Sequence, residues 1–198
     1  LQKFRARVDW TSYVDFRDYC ATQISWNNGT STVNIARFEC HAVLLQSATL
    51  DDALKLICAT AASWYQDDGE RIRFIKPTDT TPVHHFDTSN IVSGSFSVAP
   101  QDIRTRPNYL VAEFRDLDDT YLSVTKTPPA YRQELIDKVG RVDGGKRAFP
   151  NMNRSQAQRL LQRQLRLEAD NPNIVNLRGM ADSFHVLPGD FVTVSHPI

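Results

Sequence analysis

The chain has no apolar run long enough to cross a bilayer, and no basic segment followed by a hydrophobic stretch of the kind that makes a secretory leader. It opens Leu-Gln-Lys-Phe with no initiator methionine and reads as a soluble segment of a longer polypeptide. Net charge is equally missing. The 23 basic residues balance 23 acidic ones, which argues against a nucleic-acid binder held by bulk electrostatics. Cysteine is scarce and odd in number. Cys20, Cys40 and Cys58 are widely spaced and embedded in apolar patterns, as expected of buried free thiols rather than of disulfides or a metal cluster. The absence of any fixed-period repeat or low-complexity tract sets aside solenoids and disordered linkers. A length of 198 residues leaves room for one large domain or two small ones.

Complete catalytic and ligand motifs are missing too. Gly140-Arg141-Val142-Asp143-Gly144-Gly145-Lys146-Arg147 comes within one residue of a phosphate-binding loop. Arg147 stands where that loop needs a hydroxyl, and Pro150 interrupts the helix that should follow, so the glycines are expected to serve a turn. His84-His85-Phe86-Asp87 offers ligand chemistry, but adjacent residues of an extended segment point to opposite faces. His41, His185 and His196 lie far away in sequence, with no ligand-pair spacing to join them. Asp116-Leu117-Asp118-Asp119 lacks the spacing, central glycine and distal glutamate of a calcium loop and reads as a solvated hairpin tip. Ser93-Gly94-Ser95 is not a nucleophile elbow. The sequence nominates no catalytic residue, no cofactor and no metal ligand.

What is present is patterning. Thr11-Ser12 with Asp15 resembles a capping box, and Tyr13, Phe16, Cys20 and Ile24 recur at helical spacing until Asn27-Asn28-Gly29, which predicts a helix over about 12–26. Residues 35–43 alternate, Phe38, Cys40 and Ala42 against Arg37, Glu39 and His41, as in a half-buried strand. Thr49 with Asp52 caps a second helix whose apolar side carries Leu50, Leu54, Ile57, Ala61 and Trp64. Asp67-Asp68-Gly69 then turns into a strand over 71–76, and Pro77 to Pro82 leads out of a first module ending near residue 90.

The second half alternates twice. Val92, Gly94, Phe96 and Val98 face away from Ser93, Ser95 and Ser97, and Leu110, Ala112 and Phe114 away from Tyr109, Val111 and Glu113. Both predict strands, the second returning through Tyr121 to Thr125. Residues 131–149 fit a short helix through Tyr131, Leu135 and Val139, or an extended excursion, equally well. A long helix is expected near 154–169, an extended piece at Ile174 to Leu177, and a Leu187-Pro188-Gly189-Asp190 turn into a last strand. On that helix Arg159, Arg163 and Arg166 fall at i, i+4 and i+7, hence on one side, a candidate interface or lumen surface set against an ordinary solvated face. The fold class is α+β, mostly antiparallel, with modules at 1–90 and 91–198.

Several short pieces, taken in order, resemble one family. They are the opening helix through Tyr13 to Tyr19, Arg37-Phe38-Glu39-Cys40, the Leu50–Trp64 helix with Asp67-Asp68-Gly69 and Arg71-Ile72-Arg73-Phe74, then Phe86-Asp87 and Ile91-Val92-Ser93-Gly94. Arg106-Pro107-Asn108-Tyr109-Leu110-Val111, Gln156-Ala157-Gln158-Arg159-Leu160 and Leu187-Pro188-Gly189-Asp190 continue the series. Together they are similar to the lambda-type tip attachment protein J and related tail hub proteins of long-tailed phages and gene-transfer particles, over nearly the whole chain. The resemblance implies a barrel-like hub module and a homotrimer closing the end of the tail tube in the virion. It also implies contacts with the distal tail protein and the tape measure protein, and receptor-binding regions elsewhere in the full chain. Transient contact between the arginine stripe and phage DNA is a further expectation. The alternative is a carbohydrate-active or cell-wall-degrading tail domain, which needs two opposed carboxylates about 5 to 9.5 Å apart.

Overall fold

Asp9 starts the first helix. In the computed structural model, which describes residues 7–27, 29–44, 47–77, 81–116, 124–170 and 173–197, α1 spans Trp10–Ala21. The Asp9 carboxylate accepts from the amides of Thr11 (3.0 Å) and Ser12 (3.4 Å). The expected cap at Thr11-Ser12 is therefore displaced, because Ser12 is engaged elsewhere: its hydroxyl accepts from the Phe74 amide at 3.1 Å. The helix ends earlier than predicted, at Ala21. Residues 23–27 form a strand, β1 (Gln23–Asn27), hairpinned to β2 (Thr32–Ala36). Gly29, at φ +92°, belongs to that hairpin connection rather than to a helix stop. The strand expected over 35–43 shrinks to the end of β2. Beyond it Phe38 donates its amide to the Cys20 carbonyl, and the chain follows other segments without a ladder.

Thr49 caps α2 (Leu50–Thr60) as predicted, its hydroxyl accepting from the Asp52 amide while Asp52 accepts from the Thr49 amide, both at 3.1 Å. The buried positions are Leu54, Cys58, Thr60 and Ala61, whereas Leu50 is half exposed and Trp64 has left the helix. Trp64 opens β3 (Trp64–Asp67), which pairs antiparallel with β4 (Ile72–Ile75) across the predicted turn, where Gly69 has φ +91°. α1 lies on β4, with Phe16 stacked on Phe74 at 5.5 Å.

β5 (His84–Phe86) follows, then β6 (Ser97–Pro100). The longer strand predicted from Val92 does not form: Ser95 donates to the Val92 carbonyl in a turn, with Gly94 at φ +76°. The alternation at 109–115 does hold, as β7 (Tyr109–Arg115), with Leu110, Ala112 and Phe114 buried. β8 (Val124–Lys126) and β9 (Ala130–Tyr131) pair antiparallel with β7. Both readings of 131–149 contain part of the result, since α3 (Gln133–Val139) gives way to β10 (Asp143–Ala148), parallel to β7. Of the supposed tip, only Asp116 and Val124 onward lie among the described residues. Asp116 is buried rather than solvated, and Arg154 reaches it at 3.1 Å.

α4 (Arg154–Asp170) crosses this four-stranded sheet. Leu110, Ala112 and Ala130 pack on Leu161, Leu165 and Ala169; beside them Phe114 and Met152 pack on Ala157 and Leu160. That helix–sheet layer is the main core. β11 (Asn173–Asn176) pairs antiparallel with β6, and β12 (Val192–Val194) runs parallel to β5. The described residues thus hold four α-helices and twelve mostly antiparallel strands, the α+β class read from the sequence. The sheets are one of four strands and four of two; no barrel closes among them. No helix among the described residues is long and apolar enough to cross a membrane.

Candidate functional site

α4 carries several long-range polar contacts. Gln156, fully buried, accepts from the Glu39 amide at 3.1 Å and donates to the carbonyls of Glu39 (2.9 Å) and Thr60 (2.7 Å). One amide group thereby completes the backbone of two segments that have no ladder of their own at those points. At the N-terminal end of α4 Arg154 meets Asp116. On another face Glu168 receives Arg147 at 3.0 Å and Gln164 at 3.0 Å, and Asp170 receives Arg132 at 2.7 Å. Arg106 donates to the Ala169 carbonyl at 3.2 Å, where helix carbonyls lack intrahelical partners.

The three arginines proposed as one stripe occupy three environments. Arg159 is withdrawn from the surface: it lies over the Phe38 ring at 4.9 Å, and its guanidinium donates to the Arg37 carbonyl. Burial first, and then the Arg37 charge, push its pKa down to about 10. Arg163 borders an apolar groove with Ala59, Trp64, Phe149, Leu160 and Leu167. Arg166 is exposed beside a more polar groove shared with Tyr131, Arg132, Gln158 and Gln162. Neither Arg163 nor Arg166 has a hydrogen-bond or ion-pair partner among the described residues. Helical spacing groups the three along one helix; it carries no information about Phe38, 121 positions away from Arg159 in the chain.

Two more joints were not read as such. Asn108, also fully buried, donates to the Gly140 carbonyl and accepts from the Val142 amide, both at 2.8 Å. The Leu187–Asp190 turn closes on itself through a 3.1 Å backbone bond, with Gly189 at φ +97°. Gln66 donates to its Pro188 carbonyl at 2.7 Å. A Cβ on Gly189 would overlap the Trp64 indole, so this glycine is required both by conformation and by the close approach of a ring.

The remaining candidates resolve individually. Gly140 ends α3 at φ +81°, Gly145 has φ +79° where the β10 register shifts, and Lys146 pairs with Glu113 at 3.1 Å, so the loop-like glycines shape a helix end and a strand. His84 and His85 do point apart: His85 meets the Thr193 hydroxyl at 2.6 Å, and His84 faces His185, ring to ring at 5.0 Å. Among the described residues no group of three His, Cys, Asp or Glu side chains is placed to hold a metal ion. Cys58 is buried and Cys20 half-buried, both thiols pushed up to about 11 by burial, with Cys58 adding to the effect on Cys20. Cys40, expected to be buried, is exposed because the 37–44 segment does not form the predicted strand. No protein-family model matches the chain, and no curated protein matches it.

Proposed function

We propose that this chain is a structural module of a phage tail-tip hub, one that closes the tail tube and supports host attachment and DNA delivery without catalysis of its own. The observation that carries the reading is what the family-like segments do. In Arg106-Pro107-Asn108, in Gln156-Ala157-Gln158-Arg159 and in the Leu187–Asp190 turn, the polar groups tie distant backbone segments to one another. Residues used as joints suit a part whose specificity lies in subunit surfaces rather than in a reacting centre. The partners of such a module are two further copies of the full-length protein, the distal tail protein and the tape measure protein, at the distal end of the tail. Arg163 and Arg166, without hydrogen-bond or ion-pair partners among the described residues, are candidate cations for a neighbour or for passing DNA.

Light scattering on the full-length protein, together with images of isolated tail tips, tests the assembly. Three copies around one axis are expected; a monomer in the assembled particle overturns the proposal. Turnover of peptidoglycan or host polysaccharide by this chain, abolished by one Asp or Glu replacement, would instead establish the cell-wall-degrading alternative.

A further inference from the structure

Asn90 fixes the chemistry of His84. Its side-chain oxygen accepts from the Asp87 amide at 2.8 Å, and its nitrogen donates to the His85 carbonyl at 2.8 Å. Turning the amide over would set donor against donor and acceptor against acceptor, so the orientation is dictated by the backbone. The second N–H of that nitrogen points at His84 Nε2, 3.3 Å away. Nε2 must therefore be the acceptor, and the neutral ring carries its proton on Nδ1.

A competing partner waits on the same atom. Asp182 Oδ2, in the short 3-10 turn Ala181–Ser183, lies 3.9 Å from Nε2, outside hydrogen-bond range but close enough to attract a charged ring. The His84 side chain is only 12% exposed, so its attachments cannot readily be replaced by water. The other neighbours are a second imidazole, an aromatic ring and a facing strand. The His185 ring lies 5.0 Å away, Phe86 contributes an aromatic edge at 4.6 Å, and β12 lays Val192 alongside. His85 and Thr193 meet each other across the strand pair, and the Asp87 carboxylate is held by Ser89 and interacts with His85.

We propose that His84 is a proton-operated latch at the seam between residues 84–91 and 179–195. In the neutral ring Nε2 accepts from Asn90, and Asn90 at the same time accepts the Met180 amide on its own carbonyl at 2.9 Å, joining the two segments. A proton taken up at Nε2 puts an N–H against the Asn90 N–H. That bond is lost, the ring swings its new donor toward Asp182, and the turn carrying Asp182 shifts relative to Asn90. The seam thus has two polar arrangements, selected by one proton.

Long-range proton–nitrogen spectra of the intact chain, labelled at histidine, test this at about pH 8 and about pH 5. At the higher pH the His84 signals should show the Nδ1–H tautomer. Acidification should shift the Asn90 side-chain amide and speed exchange of the Asp87 and Met180 amides about fivefold beyond the intrinsic pH effect. Asn90→Asp, which replaces the donor with an acceptor, should reverse the tautomer to Nε2–H; Asp182→Asn should reduce the acid-induced shift at Asn90. An Nε2–H tautomer in the parent at about pH 8, or an Asn90 amide unmoved while His84 takes up its proton, overturns the proposal.

Discussion

Replacing Gln156 by leucine preserves the volume of a fully buried side chain but leaves the Glu39 amide and the Glu39 and Thr60 carbonyls without partners. At about 1–3 kcal/mol for a buried group left unsatisfied, with the Thr60 carbonyl contact buried and the Glu39 contacts part-buried, urea unfolding should show a loss of about 2 kcal/mol. The thiols provide a second expectation at this scale. A thiol reagent should label Cys40 first under native conditions, and Cys20 and Cys58 only as the chain opens, because burial holds both of the latter protonated to about pH 11. Mass spectrometry of quenched time points distinguishes this from simultaneous labelling. Which residues are apolar and which alternate was legible, as Leu110, Ala112 and Phe114 show. That a glutamine would be among the most buried side chains was not. Hydrophobic periodicity has no term for an amide that completes the backbone of segments 96 and 117 positions away.

A local start signal holds at Thr49 but not at Thr11-Ser12, where Asp9 caps instead. The Thr49–Asp52 box starts α2, and Thr49→Ala should cost about 1 kcal/mol at neutral pH, measured by thermal or urea unfolding. Its pH dependence has a definite sign. The Thr49 hydroxyl, and then the Thr49 amide, hold the Asp52 carboxyl below its ordinary range. Stability from a carboxyl lowered in the folded state is present above the unfolded value, near about 4, and is lost as pH falls through the folded value. The gap between parent and Thr49→Ala should accordingly narrow below about pH 4. Elements failed where two periods agree over a short stretch. Tyr13, Phe16, Cys20 and Ile24 fit one helical face, yet Ile24 belongs to a hairpin, and an Asn-Gly pair serves a hairpin connection as well as a helix stop. Val92 to Val98 alternates but contains Gly94 in a left-handed turn, where extended backbone cannot continue.

At the scale of the whole molecule the arginines of α4 separate folding from assembly. Arg159→Glu removes a guanidinium that lies over Phe38 and holds the Arg37 carbonyl, so it should lower the unfolding midpoint of the isolated chain. Arg163→Glu with Arg166→Glu should leave the unfolding free energy within about 0.5 kcal/mol, since neither has a hydrogen-bond or ion-pair partner among the described residues, while weakening any assembly that uses this face. Unchanged assembly of the double variant in sedimentation removes the face from consideration. The pairing of β5 with β12 was out of reach of local pattern, because 108 residues separate His85 from Thr193 and each strand is only three residues long. That pairing also has a mechanical meaning. β5 and β12 run in the same direction, so tension on the chain before one and after the other draws them along each other in opposite senses. The bonds from Val83 to Phe191 and from Ser195 to Phe86, both 2.8 Å, then bear the load side by side in shear instead of opening in turn. Two short strands in this arrangement resist stretching more than their length suggests, and under tension they hold the two halves of the sequence together.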